Sequence, residues 1–195
     1  MKVSREQVAL NRERIVGTAA RLFRQKGYDG IGVADLMKSA GLTHGGFYGH
    51  FASKEDLLAE ATAHAMAQSV QRWEHKAAAA ASPAAALAGI ADHYLSTTHR
   101  DQPENGCAVT ALGPDVARLG PAVRSALTAG ATGQVAVLEQ CAMAAGADTA
   151  AARQQALTTY AAMVGAMVLA RAVDDATLSE EILAAVRGSL AADPK

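Results

Sequence analysis

Between Thr43 and Lys54 the chain concentrates hydrogen-bonding groups and little bulk: Thr43, His44, Gly45, Gly46, Tyr48 and His50 fall within eight positions, and Lys54 follows. Read as a short helix from Thr43 to about Phe51, this segment turns those groups outward. Leu42 and Phe47 join Leu36 and Met37 on the inner side, with Leu22 and Phe23 above them. Thr43 is placed to cap the helix. Two adjacent glycines in helical conformation cost about 1 kcal/mol each relative to alanine. Missing side chains let a helix backbone come close to the edges and backbone of the DNA major groove, which gives that cost a reason. The plainer alternative is that glycine is cheap in a first turn and merely tolerated.

Cys107 is the second place where chemistry is possible. It lies in Pro103-Glu-Asn-Gly-Cys-Ala-Val-Thr-Ala-Leu-Gly113, beside an expected helix start. Amide N–H groups there would stabilise a thiolate and make the sulfur a nucleophile toward electrophiles or oxidants. Equally, it fits as an inert small residue packed in a joint between helices. With Cys141 it makes two cysteines, too few and too far apart for a disulfide framework or a zinc knuckle, so both read as reduced thiols and no metal or cofactor is expected. His-Glu-x-x-His, a phosphate loop and a nucleophile elbow are all absent from the sequence, which argues against an enzyme.

Helices must position these groups. Half of the residues are hydrophobic, carried by alanine with only 4% aromatics, a composition that favours closely packed helices over sheets. Residues 1–54 hold nine Lys or Arg against four acids, whereas residues 55–195 hold nine against fifteen. A basic head on an acidic body suits a protein of which one end meets phosphates. Periodicity and punctuation predict about nine helices and no strand: Ser4–Lys26, Val33–Ala40, Thr43–Phe51, Lys54 to about Ala77, then 83–100, 105–118, 121–145, 149–173 and 178–191. The charged start lacks the apolar core of a secretory signal and no long apolar run appears, so a cytoplasmic protein without membrane contact is expected.

The run Arg12-x-Arg-Ile-Val-x-x-Ala-Ala-x-x-Leu-Phe23, then Gly27-Tyr-Asp-Gly30, then Ala40-Gly-Leu-Thr-His-Gly-Gly-Phe-Tyr-Gly-His-Phe-Ala-Ser-Lys-Glu-Asp-Leu-Leu58 resembles the TetR family of bacterial one-component regulators. The likeness implies an all-α fold: a helix-turn-helix DNA-binding domain at 1–54, and a helical effector-binding and dimerisation domain at 55–195, linked by the helix from Lys54. It places Thr43, His44 and Gly45 at the base-reading start of a recognition helix, with Gly46 beside them, and matches Tyr48, His50 and Lys54 to positions that hold phosphates. A phenol, an imidazole and an ammonium can each donate to phosphate oxygens, and Lys54 opens a helix whose N-terminus favours anions. Many relatives open the first short helix with Ser or Thr where this chain has Gly32-Val33, which argues against base reading by that helix and leaves Arg14 and Lys38 to backbone contacts.

The resemblance implies double-stranded operator DNA, a second copy of the chain and an unidentified small-molecule effector as partners. Tyr160-Ala-Ala-Met-Val-Gly-Ala-Met-Val-Leu-Ala170 is apolar on nearly every face and needs cover on both sides. Gly165 and its flanking alanines, with a stripe of Leu178, Ile182, Leu183 and Val186, suit a four-helix bundle between two copies, unless both helices simply line one core. The stretch from Ala84 to Met143 is expected to line a pocket for a modest apolar ligand. A Gly-Cys pair at this place also looks like that of relatives that respond to electrophiles. The expectation is a ligand-responsive repressor; the alternative is a helical small-molecule-binding protein without specific DNA recognition.

Overall fold

A computed structural model describes residues 4–191; the outermost residues of the two expected domains, 1–3 and 192–195, lie outside it. Among the described residues there are nine α-helices, two short 3-10 helices and no strand. Helix α1 (Arg5–Lys26) starts where the Ser4 hydroxyl accepts the Gln7 amide at 3.1 Å and ends at Gly27, whose φ of 76° suits glycine. Helix α2 (Val33–Ser39) closes with two reverse bonds, Gly41 N–H to Lys38 C=O and Leu42 N–H to Met37 C=O, around Gly41 at φ 68°. That closure makes the tight turn into the 3-10 helix His44–Gly49.

Helix α3 (Lys54–Ala79) is capped by Ser53, and α4 (Pro83–Tyr94) by Ser82 with proline in its first turn. Then follow α5 (Thr97–Asp101), a 3-10 turn at Pro103–Asn105, α6 (Ala108–Val116), α7 (Pro121–Ala144), α8 (Thr149–Ala172) and α9 (Ala176–Ala191).

The helix expected over 83–100 is broken. The Ser96 hydroxyl donates to the His93 carbonyl at 2.9 Å and accepts the His99 amide at 3.2 Å, so it ends one helix and starts the next. The helix expected over 105–118 begins at Ala108, after the turn at 103–105. The segment expected as a helix from Thr43 to Phe51 is a tighter 3-10 turn over His44–Gly49, in line with its three glycines. One α-helix lost and one gained leave nine.

Two clusters of buried side chains hold the molecule together. The first gathers Phe23, Leu36, Met37, Phe47, Phe51, Leu57 and Leu58, and reaches Ala108, Leu112 and Val116 of α6 and Val123 of α7. The second gathers Trp73, Ile90, Tyr94, Leu138, Met163, Met167 and Leu183, and includes Cys107. Helix α3 runs through both, and α6 packs into the first while starting in the second. Small residues permit a close approach between α3 and α7: a side chain at Gly130 would collide with Met66. No helix of the described residues is long and apolar enough to cross a membrane.

Candidate nucleic-acid interface

Phe47 anchors the 3-10 helix: it is fully buried, 5.7 Å from the Phe51 ring, in the cluster with Leu36, Met37 and Phe23. That anchoring leaves the other side of the segment in solvent. Thr43, His44, Gly45 and Gly46 are exposed, and Tyr48 is 71% exposed with its ring edge-on to Phe47. His50 is half-buried against Phe51. The structure thus brings the expected residues of this segment onto one accessible surface. Thr43 does occupy the cap position, yet its side chain makes no capping bond; its carbonyl accepts the Gly46 amide at 3.1 Å instead. The tighter 3-10 geometry supplies that closure from the backbone.

The glycines carry information here. A side chain at Gly45 or Gly49 would meet nothing within 4 Å, and at Gly46 only ordinary contacts with Met37 and Thr43. None of the three has a positive φ. Nothing among the described residues therefore requires glycine at these places.

Arg14 is exposed on α1, its guanidinium 3.3 Å from the Asn11 side chain. Lys54 opens α3 with its ammonium 4.2 Å from the centre of the Tyr28 ring, a cation–π contact that occupies it in the free protein. Burial and the nearby carboxylates of Glu55 and Asp29 raise the Tyr28 phenol above its ordinary value. Arg12, read from sequence as part of the basic count and as the first residue of the run that carries the resemblance, donates to the His50 carbonyl and pairs with Glu60.

Cys107 lies far from this surface and is 3% exposed. It caps α6, but its thiol bonds to none of the α6 amides and instead lies 3.9 Å from Gln134 Oε1. Gln134 is fully buried; it accepts from the Tyr160 hydroxyl at 2.8 Å and donates to the Ser69 hydroxyl at 3.0 Å. The Cys107 amide donates to His99 Nε2 at 3.0 Å, so the ring proton sits on Nδ1 and is given to the Tyr94 carbonyl at 2.6 Å. Burial holds His99 neutral, with its pKa lowered to about 4. Ser69, Arg72, Trp73, His93, Tyr94 and Asn105 complete the walls of a space of about 30 Å³, room for one water-sized molecule. The buried Tyr94 hydroxyl has no hydrogen-bond partner among the described residues.

Head and body meet through side chains that sequence gave no means of pairing. The Tyr28 amide donates to Asp115 Oδ2 at 3.1 Å and the Arg24 guanidinium to the Glu104 carbonyl, while within the body the Gly120 amide donates at 2.9 Å to Oε1 of Glu55, in the first turn of α3. Burial, with Arg72 nearby, lowers the Arg24 pKa to about 10, which leaves it charged at neutral pH. These partners stand 87, 80 and 65 positions apart, beyond any helical period.

In the body, α8 has two apolar faces. Tyr160, Met163, Ala166, Met167 and Ala170 line the second cluster, whereas Leu157, Ala161, Gly165, Val168 and Leu169 face outward, Leu169 being 55% exposed. Of the stripe expected on α9, Leu183 is buried in the chain's own core, Ile182 and Val186 pack partly against it, and Leu178 is exposed. The α9 residues therefore divide between core and surface.

Comparison with known proteins agrees with this architecture. The family model described as bacterial regulatory proteins, tetR family, matches residues 15–61, and that of the tetracyclin repressor-like C-terminal domain matches residues 83–186. The chain is 28% identical over 187 residues to the HTH-type transcriptional repressor NemR of Escherichia coli, covering 92% of this chain and 94% of NemR. The crystal structure of reduced E. coli NemR superposes with a TM-score of 0.80 at 26% identity, again over 92% and 94% of the two chains. AibR, solved in complex with isovaleryl coenzyme A and operator DNA, has the same fold, with a TM-score of 0.65 at 20% identity over 92% of this chain and 97% of AibR. Matched along both its helix-turn-helix head and most of its helical body, the chain belongs to the TetR family of bacterial transcriptional regulators.

Proposed function

We propose that this protein is a repressor that binds palindromic operator DNA as a homodimer and is released by a small apolar or electrophilic effector. The observation that supports it best is the exposed His44–Gly49 surface, where Gly45 and Gly49 answer to no internal contact. An outside surface pressed against the backbone explains them. Thr43, His44, Gly45 and Gly46 read base edges, while Tyr48, His50, Lys54 and Arg14 hold phosphates. The outward apolar face of α8, with Leu178 of α9, seats the second copy, and a two-fold dimer offers two heads to half-sites about 34–36 Å apart. Residues 1–54 act as the head and 55–195 as the body.

Release starts at Cys107. NemR was solved in a form described as reduced, and AibR with an acyl thioester and DNA together, so redox and ligand states both accompany this fold. Toward a quinone, the Cys107 sulfur forms a C–S bond to the ring. The thiol proton passes to one quinone oxygen and the hydrogen of the attacked ring carbon to the other, giving a sulfur-substituted hydroquinone. The 30 Å³ space cannot hold that ring, so α4, α5 and the start of α6 must part. Movement of α6 pulls on Tyr28 through Asp115, and movement of α3 shifts Lys54; either changes the spacing of the heads and lowers affinity by population shift.

Fluorescence anisotropy with the DNA upstream of the coding region, against random DNA over a range of salt, tests operator recognition; equal affinity for both at every salt overturns it. A quinone should weaken operator binding by the wild type and leave Cys107→Ser unmoved. An equal response in both removes Cys107 from the mechanism.

A further inference from the structure

We infer that Arg12 is a positioning residue for the DNA-reading segment and not one of its phosphate contacts, an inference that rests on the operator-binding reading above. Arg12 belongs to the basic head and, by charge alone, would be assigned to DNA. Its guanidinium is already engaged on three sides. One nitrogen donates to the His50 carbonyl, a second pairs with the Glu60 carboxylate of α3, and the plane lies 4.3 Å from the centre of the Phe51 ring.

The segment it holds has little stability of its own. His44–Gly49 is six residues long and three of them are glycine, each costing about 1 kcal/mol against alanine in a helix. A helix end leaves carbonyls without intrahelical donors. The Phe47 carbonyl is satisfied by the His50 and Phe51 amides, and the His50 carbonyl by Arg12. A cation at a helix C-terminus also complements the local dipole. Phe47 fixes how deeply the segment sits, and Arg12, tied to α1 and α3 at once, fixes its rotation about that anchor. Only a planar fork reaches carbonyl, carboxylate and ring together, so lysine is no substitute.

The test combines Arg12→Lys, Arg12→Gln and Glu60→Gln, with operator and random DNA titrated over a range of salt, and amide hydrogen exchange of residues 43–52 measured without DNA. The expected result is about a tenfold loss of operator affinity in both Arg12 variants, random-DNA affinity within about twofold, and an unchanged salt slope. Exchange at Gly46, His50 and Phe51 should quicken in the absence of DNA, and Glu60→Gln should show a smaller effect of the same sign. A phosphate contact gives the opposite pattern. Arg12→Lys then binds like the wild type, Arg12→Gln weakens both DNAs in parallel with a slope smaller by about 0.9 per head, and Glu60→Gln binds more tightly. That pattern, or unchanged exchange in both Arg12 variants, overturns the proposal. Should the wild type fail to distinguish operator from random DNA, the repressor reading falls while the exchange measurement still decides the role of Arg12.

Discussion

The surface around His44–Gly49 and the interior around Cys107 are both rich in polar groups, yet they are built in opposite ways. On the surface, the side chains of Thr43, His44, Tyr48 and His50 make no hydrogen bond to the described residues, and Gly45 and Gly49 beside them have open space before them. In the interior, Gln134 joins Ser69, Tyr160 and Cys107, His99 joins Cys107 to Tyr94, and Arg171 ties α8 to Thr110 and to the His99 and Arg100 carbonyls. Groups without internal partners answer to something outside. Groups with several answer to each other, so altering them is felt by the fold before it is felt by any ligand.

Gly45→Glu tests the first half of that contrast hardest. The new side chain meets nothing within the chain, so thermal unfolding should stay within about 2 °C of wild type. Bulk and negative charge at the groove should cost at least about a thousandfold in operator affinity, about 4 kcal/mol. An equal loss of Tm would erase the distinction between the two regions.

His99 tests the second half through pH. Its folded pKa of about 4 lies below the unfolded value of 6.5, so below pH 6.5 the unfolded chain takes up a proton that the folded chain refuses. This contribution to stability is complete above pH 6.5 and is lost as pH falls toward 4, about 3 kcal/mol in all. Denaturant melts across that window should show the loss in the wild type and a flatter profile in His99→Gln. The same slope in both would place the titration elsewhere.

Gln134→Leu sharpens the contrast further. It leaves the Tyr160 and Ser69 hydroxyls buried without their partner, a cost of about 2 kcal/mol measured by urea unfolding. Operator affinity of the folded fraction should stay within about twofold.

What the sequence revealed divides along the same line. The turn at Gly41, the stop at Gly27, the helix start at Ser82-Pro83, the cap at Ser53 and the outward polar face of 43–50 were legible because each rests on neighbours within a few residues. The break at Ser96 was missed because the same hydroxyl fits inside a helix or at its start, and Leu95 beside it keeps the apolar pattern running. The helix start at Cys107 was visible and a packed joint was one of its two readings, whereas the groups that enclose it were not: Gln134, 27 positions away, and His99 meet it through the way α5, α6 and α7 converge. Arg12 and Glu60, 48 positions apart, belong to the same class. Their charges were readable and their pairing was not.

The smallest effect expected concerns Lys54, where the two kinds of site overlap, since its ammonium has an internal partner in the Tyr28 ring and, in the function proposed above, an external one in phosphate. Lys54→Gln should lower operator affinity severalfold and reduce the salt slope by about 1.8 for two heads. Tyr28→Leu removes the ring but no charge, so the slope should stay as in wild type. If Lys54 leaves the ring to reach DNA, losing a contact worth about 0.5–1 kcal/mol at an exposed site, this variant should bind operator about two- to fivefold more tightly per head. Weaker binding by Tyr28→Leu with an unchanged slope would mean that the ring holds Lys54 in its binding pose, and that at this one position internal partnership prepares the external contact.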